Sequence, residues 1–206
     1  MTETRAAARV LADRVIPGEG FLWDAARVAA ANLLLVLCAR IALPLPWTPV
    51  PVTGQTFGVM LVAVLLGSRR GALVLALYLL EGLAGLPVFQ PFGAPGAGRL
   101  FGPTAGYLLS YPFAAFLTGW LVERWRAARA PVGLFAALLP GQVLTFAAGC
   151  AWLALMPLPT ATGALQTMGW SRAFAAGVVP FLPGDLLKMA LVVAAVRGGE
   201  YASRSR

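Results

Sequence analysis

Apolar residues run through this chain in long blocks, with neither the alternation of a half-buried strand nor the narrow stripe of a soluble amphipathic helix. Ile41–Ser68, Leu100–Val122 and Ala130–Ser171 contain no charged residue. Each block exceeds the ~20 residues an α-helix needs to cross hydrocarbon about 30 Å thick. Helices apolar on every side are buried in lipid or in a large core. The pattern predicts an all-α polytopic membrane protein of six spans. Span 1 covers about Ala25 to Leu43, span 2 Val52 to Leu66 and span 3 Ala72 to Leu86. Span 4 starts at Gly102-Pro103-Thr104 and ends at Val122, span 5 covers Pro131 to Met156, and span 6 covers Val178 to Ala195.

The breaks between blocks are as informative as the blocks. The string Pro44-Leu45-Pro46-Trp47-Thr48-Pro49-Val50-Pro51 cannot be helical, because its prolines fix φ and remove donors. Gly67-Ser68-Arg69-Arg70-Gly71 reads as a tight charged turn, as does Glu123 to Arg129. Between spans 3 and 4 lies a Gly- and Pro-rich loop, Pro87 to Arg99, whose composition rules out a regular element. Loops of this length act as lids or binding loops, or as plain connectors. Span 5 is kinked or interrupted at Pro140-Gly141, with Gln142 beside it. Pro157 to Gly177 predicts a loop with a short surface helix carrying Trp170 and Arg172. Pro183-Gly184 breaks the chain inside span 6, so Asp185 falls where an N-cap belongs and Leu186 opens the helix.

Charge then fixes orientation. Of 206 residues only 12% are charged, with a net charge of +8; soluble domains carry about twice that charged fraction. Arg5, Arg9, Arg14, Arg69, Arg70, Arg124, Arg126, Arg129, Arg197, Arg204 and Arg206 fall on one side of a six-span topology, and Arg99 and Arg172 on the other. By the positive-inside rule both termini are cytoplasmic. Residues 1–24 form a cytosolic arm, 25–197 the membrane domain and 198–206 a cytosolic tail; the charges within 1–24 exclude a signal peptide. Arginines at span ends, without interleaved aromatics, argue against nucleic acid. With no histidine and no CxxC, zinc sites, a Ser-His-Asp triad and histidine relays are excluded, and Cys38 and Cys150 read as small buried residues.

Four ionisable residues sit within spans: Arg40, Glu81, Asp185 and Lys188. Arg40 and Glu81 lie near span ends, where they pair with each other or reach the interface. Asp185 and Lys188 share one helix face, three positions apart. At about 1.5 Å per residue, Lys188 lies roughly 13 Å from Arg197, near mid-membrane. A charge at that depth needs a partner or a wet cavity, which marks a functional site. The pair either binds the polar groups of a ligand or serves as an internal clasp. Small residues at four-residue spacing, Cys38/Ala42, Ala147/Ala151 and Ala190/Ala194, suit internal helix packing. No GxxxxGK[ST] motif is present, so any ATP-driven work falls to another subunit.

PVPVTGQTFGVML (49–61), LLGSRRGALVLALYLLEGLAGLPVF (65–89), FGPTAGYLL (101–109) and PFLPGDLLKMAL (180–191) resemble the BioY family, the biotin-specific S-components of energy-coupling factor transporters. The likeness runs in order from about residue 30 to 197. It implies a six-helix S-component fold, located in the cytoplasmic membrane, that binds biotin as transported ligand and uses no cofactor of its own. It also implies an outward-facing pocket under the loop between spans 1 and 2 and the loop after span 3. The Asp and Lys of PGDLLK hydrogen-bond biotin in the family, which places that role on Asp185 and Lys188. Thr53 and Gln55 are candidate polar contacts, Phe89, Tyr107 and Trp47 candidate apolar walls, and Arg99 a candidate ligand contact. The resemblance implies a coupling membrane subunit and two ATPase subunits as partners, docked on small residues of span 1, with Cys38 and Ala42 as candidates; the alternatives are action alone or as a homo-oligomer. An S-component for another vitamin and an intramembrane enzyme using Asp185 are the competing functions. The enzyme needs a second carboxylate, and Glu81 is the available one. A passive channel would need polar residues along spans 4 and 5, which lack them.

Overall fold

A computed structural model describes residues 18–93, 96–159 and 165–204. The expected arm at 1–24 lies outside these residues except for its last seven positions. In chain order the helices are α1 (Phe21–Arg40), α2 (Gln55–Leu83), α3 (Ala105–Arg124), α4 (Pro131–Leu155), α5 (Trp170–Gly177) and α6 (Leu182–Arg204). Short antiparallel pairs join β1 (Ala42–Leu43) to β2 (Val52–Thr53) and β3 (Leu158–Pro159) to β4 (Leu165–Gln166). Among the described residues five helical segments have the length and composition to cross a membrane: α1, α2, α3, α4 and the run Trp170–Gly199. This is a multi-pass membrane protein.

Spans 2 and 3 of the sequence reading are the two arms of α2. The helix register breaks at Gly67, with φ 75 and ψ −172, a backbone region that is essentially glycine-only. A Cβ on Gly71 would lie 3.3 Å from the Cα of Ala63, so the second arm starts back along the first. The fold-back brings Gln55 Nε2 to the Tyr78 hydroxyl at 2.7 Å, two groups that a straight helix would hold about 35 Å apart. Glu123, at the end of α3, closes the reversal: its carboxylate accepts from the Ser68 amide (2.7 Å) and hydroxyl (2.8 Å). It thereby caps the N-terminus of the second arm.

The arms of α2 pack against α1 and α3, α4 lies on α3, and α6 inserts between α2 and α4. One apolar cluster, including Met60, Leu61, Leu134, Leu138, Met189 and Val192, fills the space between the first arm of α2, α4 and α6. A larger cluster gathers Leu35, Tyr78, Tyr107, Tyr111, Leu153 and Phe181 nearer the loops.

Several sequence expectations need correction. Helix α6 opens at Leu182, not Leu186, so Asp185 sits in its first turn and is no N-cap. Pro183 and Gly184 do not break it, because a proline in the first turn forfeits an N–H that has no helical partner anyway. The real break is the 3-10 turn Val179–Phe181. Of the two readings at Pro140-Gly141, kink or interruption, the interruption is excluded, since helix α4 is continuous there. The 87–99 loop ends in a regular 3-10 turn, Gly96–Phe101. Arg40 and Glu81 do not pair: the guanidinium donates to the Pro87 carbonyl and Glu81 accepts from Asn32. Cys38 is buried and so presents no docking face, whereas Ala42 is half-buried in β1. Conversely Ala147, Ala190 and Ala194 are exposed rather than packed inside.

Candidate functional site

At the end of the bundle where α1 stops and α3 and α6 start, a cavity opens beneath the proline string. Its empty space, mouth included, is about 480 Å³. Val50, Pro51 and Thr53 roof it from the β1–β2 connection, while Leu108, Phe146 and Phe181 line it with apolar surface. The roof is tied down by Thr48, whose hydroxyl donates to the Ala176 carbonyl (2.7 Å) and accepts from the Val50 amide (3.2 Å).

The polar wall comes from three helices. Asp185, only 3% exposed, accepts from Lys188 Nζ at 2.6 Å and from Thr56 Oγ1 at 2.9 Å, both on Oδ1. Its Oδ2 accepts from Gln142 Nε2. Lys188 Nζ also donates to Thr56 Oγ1 at 2.9 Å. Three donors thus converge on this buried carboxylate, in the first turn of α6. An ammonium has three donors; protein atoms occupy two, and the Lys188 side chain keeps 16% of its surface open. The pair is therefore neutralised internally while one N–H, and the second lone pair on Oδ2, are left for a bound molecule. Such a site suits a small polar head that offers both an acceptor and a donor, seated on an apolar body.

The sequence profile of the BioY family matches residues 8–204. The chain belongs to the BioY family. A biotin transporter BioY of Rhizobium etli is 37% identical over 82% of this chain and 86% of its own length. One from Rhodobacter capsulatus is 40% identical over 77% of this chain and 83% of its own. The crystal structure of the S-component for biotin from an ECF-type ABC transporter matches with a TM-score of 0.74 at 25% identity, covering 85% of this chain and 89% of that one. The fold is the S-component fold.

Among the residues singled out in the sequence, Asp185, Lys188, Tyr107, Thr53 and Gln55 line the cavity of this BioY-family chain. Tyr107 spends its hydroxyl on the Gly177 carbonyl at 2.6 Å, so it contributes ring surface. Gln55 is held by Tyr78, whose hydroxyl donates on to the Val88 carbonyl (3.1 Å).

Three expected residues are elsewhere. Phe89 packs edge-on against Tyr78, with centroids 5.2 Å apart, and so supports Gln55 from behind rather than forming a wall. Trp47 is 68% exposed and does not line the cavity. Arg99 is buried, but it donates to the carbonyls of Phe92 and Gln90 (3.0 Å to the latter) and so staples its own loop. Burial lowers the pKa of this guanidinium from its ordinary value.

Thr56, Gln90, Tyr111 and Gln142 line the cavity and were not among the sequence candidates. Gln142 gave a signal, as a polar residue beside Pro140 within an apolar span. Tyr111 gave none, since tyrosine is ordinary in a membrane helix.

Proposed function

We propose that this protein captures biotin and carries it across the cytoplasmic membrane as the substrate-binding subunit of an ECF-type transporter. The observation that carries the proposal is the Asp185–Lys188–Thr56 cluster, internally neutral yet open on a largely apolar cavity, in a chain of the BioY family. Biotin pairs a cyclic urea with an apolar bicycle. The urea carbonyl accepts the spare N–H of Lys188, a urea N–H donates to Asp185 Oδ2, and the bicycle lies against Tyr107, Leu108, Phe146 and Phe181. Biotin is cargo here, not a resident cofactor, and no covalent step is required. Thr53 and Gln55 line the same cavity and offer it polar groups.

The membrane domain, 25–197, crosses six times, counting the arms of α2 separately, with both termini cytoplasmic. The arginine distribution supports that orientation, since Arg69, Arg70, Arg124, Arg126, Arg129 and Arg197 stand at the end of the bundle opposite the cavity. Energy comes from a coupling membrane subunit and two ATPase subunits. Helix α1 offers the coupling subunit a docking face, because Ala25, Ala26, Ala29 and Ala30 are exposed on it at four-residue spacing.

Titration calorimetry of the purified full chain with biotin, thiamine and riboflavin is the direct test. Saturable one-to-one binding of biotin alone is expected. Binding of another vitamin in preference to biotin would replace the cargo while leaving the S-component role in place.

A further inference from the structure

Gln142 is 6% exposed and lines the cavity. Its Nε2 is committed to Asp185 Oδ2, and this bond also fixes which end of the amide is nitrogen, since a reversed amide would set two oxygens against each other. Its Oε1 has no hydrogen-bond partner among the described residues, yet it is not fully enclosed. An unpaired amide oxygen on a buried side chain is costly unless something else pairs with it. The space it opens on is the cavity. We propose that Gln142 is a specificity-determining residue of the binding site, whose Oε1 accepts one N–H of the cargo while Asp185 Oδ2 accepts the other.

This inference rests on the reading that the cargo is biotin. A cyclic urea presents one carbonyl oxygen between two N–H donors. The wall presents two acceptors held beside each other because a single amide bridges them, and the third N–H of Lys188 Nζ is among its open donors. These suffice for the urea carbonyl and its two N–H groups. Gln142 also acts on the carboxylate: by occupying one lone pair of Oδ2 it leaves a single acceptor position there, so Asp185 cannot serve both N–H groups itself. Helix α4 is thus a reading element of the site, alongside the α6 pair.

The test uses purified full chain and three ligands: biotin and its two analogues methylated on one or the other urea nitrogen. Wild-type protein is expected to bind each analogue at least about tenfold more weakly than biotin, since each N–H meets a buried acceptor. In Gln142→Met, biotin affinity falls at least about tenfold, and one analogue becomes as good a ligand as biotin while the other stays disfavoured. Gln142→Ala gives the same pattern if the methionine variant does not fold. Wild-type tolerance of either methyl group overturns the proposal, as does a variant that weakens all three ligands by one common factor. Failure of wild-type protein to bind biotin at all would instead remove the cargo assignment underneath it.

Discussion

Thr56 and Asp185 are 129 positions apart in the chain, and the threonine hydroxyl donates to the carboxylate at 2.9 Å. The same oxygen accepts from Lys188 at 2.9 Å. One hydroxyl therefore orients both charged groups of the site, and it reaches them because the first arm of α2 lies against α6. In Thr56→Val the shape is kept and the hydroxyl is lost. Biotin affinity is expected to fall by about 1–2 kcal/mol, roughly five- to thirtyfold, with unfolding temperature little changed. Calorimetry beside a thermal melt reads both; an unaltered Kd would deny the hydroxyl its orienting role.

Removing one member of the ion pair is a different kind of damage. Lys188→Met leaves Asp185 buried without its counter-charge, which costs about 3–5 kcal/mol, and it removes the donor for the cargo carbonyl. Adding Asp185→Asn takes away the stranded charge. The double variant is expected to regain most of the stability of the wild type and none of its biotin binding. Recovery of binding in the double variant would mean that the pair is a clasp and the ligand is read elsewhere.

Arg99 provides a test of loop anchoring. Because its guanidinium holds the carbonyls of Gln90 and Phe92, Arg99→Ala is expected to loosen the loop and speed release of biotin by about tenfold, from the loss of roughly 1–2 kcal/mol of charge-assisted bonding. Biotin methyl ester, which lacks the carboxylate charge, should be affected by the same factor. A loss confined to free biotin would show that Arg99 meets the carboxylate directly.

At the opposite end of the bundle, Glu123 caps the second arm of α2 through Ser68. Glu123→Ala is expected to cost about 1–2 kcal/mol of stability, as cap removals do, without changing biotin affinity. Thermal unfolding in detergent measures the first effect and calorimetry the second. A change in affinity with unchanged stability would contradict a purely structural cap.

The spans, their order and the charged pair were legible because lipid imposes a length on apolar runs and makes a buried charge conspicuous. The proline string was equally plain, since no helix tolerates it. What escaped was the facing of each helix. In a soluble protein the polar face marks the outside, but here lipid and core are both apolar, so nothing along the sequence told that Ala147 or Ala190 turns out. Trp47 and Phe89 were placed by residue type alone, and type does not give direction. The start of α6 was misread because Pro183-Gly184 looks the same whether it ends one helix or opens another. Thr56 became visible as a site residue only when α2 met α6 at Asp185, a coincidence that no local pattern encodes, while Gln142 stood out as polar but without its partner.

The glycine at position 67 has a bearing on everything downstream of it. Were the backbone there to straighten, the two arms would fuse into a single rod of about 43 Å, longer than the ~30 Å oily layer it has to traverse. On the six-span topology proposed above, one crossing would be lost and the parity of the remaining helices would flip, delivering the Asp185 end of α6 to the wrong compartment. On that topology a single residue without a side chain decides which face of the membrane the vitamin is taken from.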